Sequence, residues 1–89
     1  MPHMRTFADP GTVEAVLEFA RNELAREVVK KGNAIFVSRH EVLGVLAEEM
    51  GELEDEVRKG DLNRVGEELR DVLVAALWGL VSIREGMDW

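Results

Sequence analysis

One break dictates how this chain can fold. Gly60-Asp61 separates two long stretches whose apolar residues recur at helical spacing. Before it come Val42, Leu43, Leu46, Met50, Leu53 and Val57; after it come Val65, Leu69, Val72, Leu73, Ala76, Leu77, Leu80 and Ile83. Glycine accepts the left-handed conformation that ends a helix, and Asp61 can cap the helix that follows. About three residues join the two stretches, so they must double back as an antiparallel helical hairpin.

The outer ends are also legible. "SRHE" (38–41) is a capping box with Ser38 as N-cap and Glu41 at the third helical position. Val37 and Val42 are spaced for a hydrophobic staple. The hairpin helices are predicted over about 39–59 and 62–85, with Gly86 just past the end. A further helix is predicted over about 10–31. Asp9 and Pro10 open it, and Lys30 and Lys31 suit the negative end of its dipole before Gly32-Asn33. Its stripe is Val13, Val16, Leu17, Ala20, Leu24 and Val28. "NAIFVS" (33–38) reads as a connecting loop. The expected fold is an all-α, three-helix protomer forming one domain over residues 1–89.

The third helix takes its core stripe to be the set from Val65 to Ile83, yet Val74, Trp78 and Val81 lie on the other side. A helix apolar nearly all round needs burial all round. Three helices in 89 residues cannot supply that. The protomers are therefore expected to assemble into an oligomeric helical bundle, a homodimer or homotetramer.

Composition removes several function classes. A net charge of −7 argues against a nucleic-acid polymer as partner. With no cysteine, disulfides and thiolate metal sites are impossible, which suits a cytoplasmic location. The longest apolar run, "VLVAALWGLVSI" (72–83), is 12 residues and too short to span a bilayer. "MPHMRTFADPG" at the start lacks the apolar core of a signal peptide, and "MPHM" carries no functional weight.

The hinge also sets a register for acids. Glu52 precedes residue 60 by eight and Glu68 follows it by eight; Glu49 and Asp71 stand eleven away on either side. Each helix thus carries an i, i+3 pair on one face, and the two pairs oppose each other across the hairpin. Four converging anions repel one another, and desolvation disfavours their ionisation. A hard divalent cation with oxygen ligands, Mg²⁺ above all, resolves that conflict. Acid-rich helix faces are more often simply solvated, the expectation for Glu41, Glu54, Asp55, Glu56 and Glu67. The mirror register and the seam-edge positions of Glu49 and Glu68 shift the balance toward a metal site.

"EEMGE" (48–52), fifteen residues, then "ELRD" (68–71) resembles the EExxE…ExxD signature of the all-α nucleoside triphosphate pyrophosphohydrolases. That group includes MazG-like proteins, dimeric dUTPases and phosphoribosyl-ATP pyrophosphohydrolase, and "SRHEVLGVLAEEMGELEDEV" looks most like the short MazG-like members. The resemblance spans 38–85. It implies Mg²⁺-dependent cleavage of a nucleoside triphosphate between the α- and β-phosphates, with Mn²⁺ as a substitute ion. It makes Glu49, Glu52, Glu68 and Asp71 the metal ligands, with Glu48 and Glu49 catalytic. Glu48 would orient or deprotonate water, or hold a second ion. One departure stands out. Many relatives carry an asparagine or lysine after the ExxD element, whereas "VLVAALW" (72–78) has neither. Two alternatives stay open: a fold that binds metal and nucleotide without turnover, and a helical dimerisation module whose acids only solubilise it. A di-iron bundle would use Glu-x-x-His pairs, and neither histidine is so placed.

Other residues admit both a functional and a plainer role. Trp78, about two turns beyond Asp71, could stack on a base or pack in the core. Lys30, Lys31, Arg39, Arg64 and Arg70 could touch phosphates, against the plainer role of surface charges or ion-pair partners; Lys30 and Lys31 stand out because the first helix must pack near the hairpin. Arg70 in particular is expected to point away from Asp71. His40 reads as exposed, and His3 and Trp89 lie at the ends. Gly44, Gly51 and Gly79 suggest close helix approach.

Overall fold

A computed structural model describes residues 5–87. Among the described residues there are three helices and no strand: α1 (Pro10–Lys31), α2 (Arg39–Lys59) and α3 (Leu62–Arg84). Each boundary has a local cause. Gly32 and Gly60 end α1 and α2 at φ +62° and +78°, the left-handed region that glycine enters without strain. Beyond α3, Gly86 N–H donates to Ile83 O and Met87 N–H to Ser82 O, the paired bonds of a Schellman stop. Asp61 Oδ1 accepts from the Asn63 and Arg64 amides. Asp9 occupies the N-cap of α1 beside Pro10, but its side chain caps nothing.

The capping box forms with one change. Ser38 Oγ accepts from Glu41 N–H at 3.4 Å, while Glu41 Oε1 accepts from Val37 N–H at 2.7 Å and not from Ser38. The staple does not form: Val37 is 76% exposed, and Val42 lies against Gly79 of α3. A Cβ at Gly79 would meet Val42 Cγ1 at 3.4 Å, the edge of ordinary contact, so α2 and α3 touch here at a spacing that a small residue fills. Gly44 and Gly51 have open space where a Cβ would stand, so neither serves a close approach within the protomer.

α2 and α3 pack side by side as the hairpin requires, and α1 lies on α3 without packing on α2. The inward face of α3 corrects the expected stripe. Val74, Ala75, Trp78, Gly79 and Ser82 are buried, while Leu69, Leu80 and Ile83 remain 53%, 59% and 57% exposed. The deciding contacts come from the loop. Trp78 Nε1 donates to Ala34 O at 3.0 Å. Ser82 Oγ, fully buried, accepts from Phe36 N–H at 3.0 Å and donates to Trp78 O at 2.8 Å. These bonds pin residues 34–36 to α3 and turn the Trp78 face inward. Phe36 completes a small core.

That core leaves much apolar surface uncovered. The Cα radius of gyration is 15.4 Å, against roughly 12 Å for a compact chain of this length. The first half of α1 exposes Val13, Val16, Leu17 and Phe19. His3 and Trp89 lie outside the described residues.

Candidate metal centre

The half-buried positions of α2 are Val42, Val45, Leu46, Glu49, Leu53 and Glu56. Their spacing is that of one helix face, so Glu49 occupies a seam position. On α3 Glu68 and Asp71 fall on the face that continues through Ala75, Trp78 and Ser82. Toward the Gly60 hinge, carboxylates replace aliphatic side chains in the seam.

One oxygen each from Glu49, Glu52, Glu68 and Asp71 lies within 4.8 Å of the others. Opposite ligands around Mg²⁺ stand roughly 4 Å apart, since each bond is about 2.0–2.1 Å. The four oxygens therefore match a hard divalent cation with small adjustment. Glu49, Glu68 and Asp71 are half-buried and Glu52 is exposed. Glu49 Oε2 and Glu68 Oε2 are buried with no hydrogen-bond partner among the described residues. Buried carboxylate oxygens without partners are destabilising, and coordination would satisfy both. Glu48 is exposed, outside the four, close enough to add to the repulsion on Glu49.

Burial raises the Glu49 carboxyl above its ordinary range, and the charges of Glu52, Asp71, Glu68 and Glu48 push the same way. Glu68 is raised by desolvation, then by the neighbouring Glu52 carboxyl and by the charges of Asp71 and Glu56. Glu56, expected on the solvated face, is half-buried with its side chain 13% exposed and is paired to Lys59 at 3.3 Å. The raised values imply a pH signature. The metal-free folded protein binds protons at Glu49 and Glu68 more tightly than the unfolded chain, so their contribution to stability falls as pH rises above 4.5 through the raised values. A bound divalent cation needs the carboxylates ionised and reverses that trend. Urea midpoints at pH 5 and pH 7.5, with EDTA and then with Mg²⁺, should change order between the two series.

Because α1 rests on α3 alone, a cleft of about 380 Å³ remains beside the quartet. Glu49 and Asp71 form part of its lining. Lys30 and Lys31 line it, as do Arg26 and Arg70, and Phe36, Val45, Val74, Ala75 and Trp78 supply apolar wall. Lys31 Nζ sits 3.5 Å from Glu27 Oε1 and 5.5 Å from the Phe36 ring centre. Trp78, only 2% exposed, packs as core while bounding this cleft. Arg70 overturns its expected direction: Nε and Nη2 donate to Asp71 Oδ1 at 3.2 and 2.9 Å. Helical angle places a Cα, but the long arginine side chain reaches back to the strongest local negative charge. Glu23 and Glu27 were also missed. The i, i+3 spacing of Glu23 with Arg26 and the i, i+4 spacing of Glu27 with Lys31 were the available signals.

A sequence profile described as the MazG nucleotide pyrophosphohydrolase domain matches residues 37–87, more than half of the 89 residues. The chain belongs to the MazG family. The MazG match takes in the cap of α2, the hinge and all of α3, and so all four clustered acids; α1, with Lys30 and Lys31, lies outside it. No curated protein and no solved structure matches the chain. MazG domains typically use divalent metals, which agrees with the acid cluster on the hairpin.

Proposed function

We propose that this MazG protein is a Mg²⁺-dependent nucleoside triphosphate pyrophosphohydrolase that cleaves the α–β phosphate bond to give a nucleoside monophosphate and pyrophosphate. The supporting observation is the convergence of four carboxylates within 4.8 Å, two of them with buried, unpartnered oxygens, beside an open cleft. Glu49, Glu52, Glu68 and Asp71 would hold the cation, with Mn²⁺ able to substitute. When bound, it supplies positive charge to the phosphates and acidifies a water. Glu49 fixes the geometry from its seam position. Glu48, at the exposed rim, takes the role of orienting the attacking water or accepting its proton. Lys30 and Lys31 neutralise phosphate charge from α1, and Trp78 gives the base an apolar wall.

A pyrophosphate-release screen over ribo- and deoxyribonucleoside triphosphates with Mg²⁺ tests this. Turnover of at least one nucleotide, lost in EDTA, is expected; turnover of none would leave a metal and nucleotide binder. That second reading has its own support, since 72–78 offers no asparagine or lysine to the cleft.

We further propose that residues 1–89 act as a single domain in a cytoplasmic homodimer or homotetramer. No described helix is long and apolar enough to cross a membrane. The exposed α3 face (Leu69, Leu80, Ile83) and the uncovered α1 stripe are the surface that assembly would bury. Leu80→Glu places a charge there and should move the protein to a smaller species in sedimentation velocity. A wild type that sediments as a monomer at tens of micromolar would sink the assembly.

A further inference from the structure

Two observations at Arg70 remain unused by the reading above. Its guanidinium is held against Asp71 by two donors that share a single acceptor, Oδ1. It also lines the cleft, so one residue touches both the acid quartet and the space beside it. The other cations of that wall are placed differently. Arg26 is 79% exposed with Glu23 at 3.8 Å, and Lys31, 35% exposed, is tied to Glu27; Arg70, 38% exposed, is tied instead to Asp71 of the quartet.

We propose that Arg70 is a phosphate-binding residue that couples the metal quartet to the nucleotide cleft, keeping Asp71 Oδ1 with Nε and Nη2 and offering its remaining N–H groups to the polyphosphate. Guanidinium has five N–H donors in a rigid fork and accepts no hydrogen bond. Two donors are taken by Asp71, so three remain, enough for a two-point grip on phosphate oxygens. Because the Asp71 contact already orders the side chain, little rotamer freedom is left to lose on binding. The electrostatics agree: a triphosphate entering beside four carboxylates needs positive charge from the protein as well as from the ions, and Arg70 is the cation joined to a member of the quartet.

This inference rests on the proposed metal-dependent reaction, and the experiment separates the two. Mn²⁺ affinity is measured first on the full chain by electron paramagnetic resonance, without phosphate. Inorganic pyrophosphate is then titrated calorimetrically into the Mn²⁺-saturated protein. Arg70→Gln is expected to weaken pyrophosphate binding by about tenfold or more, the scale of a lost charge-assisted hydrogen bond, while Mn²⁺ affinity moves by less than about threefold, as for a partly exposed ion pair. Arg70→Lys keeps the charge without the fork and should fall between. Circular dichroism melts of both variants confirm folding. Unchanged pyrophosphate affinity in Arg70→Gln overturns the proposal. So does a loss of Mn²⁺ affinity as large as the loss for pyrophosphate, since Arg70 would then act only through Asp71. Failure of the wild type to bind Mn²⁺ overturns the metal-dependent function itself, and this inference with it.

Discussion

Glu49→Gln is expected to melt above the wild type in EDTA, yet to lose both stabilisation by Mg²⁺ and turnover. The opposite signs follow from one cause. Glu49 sits in the α2–α3 seam with a buried oxygen lacking a partner, among Glu52, Glu68 and Asp71. Removing its charge relieves repulsion and the desolvation that raises its pKa. The same substitution deletes one of the four proposed ligands. At a hundredfold excess over its dissociation constant, a cation adds about 2.7 kcal/mol to stability, and each kcal/mol moves the melting point of a domain this size by about 4–8 °C. The wild type should therefore rise by at least about 10 °C with saturating Mg²⁺, and the variant by little. Metal charge at the phosphates is worth several kcal/mol in the transition state, so kcat/KM should fall by on the order of a thousandfold. Differential scanning fluorimetry with EDTA and Mg²⁺, run beside the pyrophosphate assay, reads all three quantities. A wild-type melting point indifferent to EDTA and Mg²⁺ would dissolve the metal centre.

Trp78→Ala should unfold the protein or nearly so. The indole is the largest buried side chain of a small core, 2% exposed, and its N–H reaches Ala34 O. Tryptophan-to-alanine changes in cores cost about 3–5 kcal/mol, against a total of about 5–15 kcal/mol for a typical domain. A melting point lower by roughly 12 °C or more is expected. Trp78→Phe keeps most of the volume but leaves the Ala34 carbonyl without its donor, a loss of about 1–3 kcal/mol. If thermal melts place Trp78→Ala within two or three degrees of the wild type, the loop-to-α3 clasp is not what orients this helix.

How far the sequence carried differs between elements. The Ser38 cap, the Gly60 and Gly86 stops and the two pairs of acids follow from residues three or four apart, or from mirror spacing about one hinge. The inward face of α3 did not. Both of its sides are apolar, so periodicity could not choose between the Leu69–Leu80–Ile83 side and the Val74–Trp78–Ser82 side. The choice was made by Ala34 and Phe36, 44 and 46 residues away from their partners Trp78 and Ser82. Glu56 was assigned to solvent on composition, whereas it falls on the half-buried face of α2 with Glu49 and Leu53 and pairs with Lys59.

By itself, then, the chain's order of residues determined where helices start and stop and which four acids can face one another, because those relations are set by helical pitch and hinge position. Tertiary structure alone decided which side of α3 turns inward, that α1 leaves a cleft against α2, and that Arg70 swings onto Asp71. The first two depend on contacts between residues far apart in the chain, and the third on the rotamer a long side chain adopts beside its neighbour; spacing along a chain encodes neither.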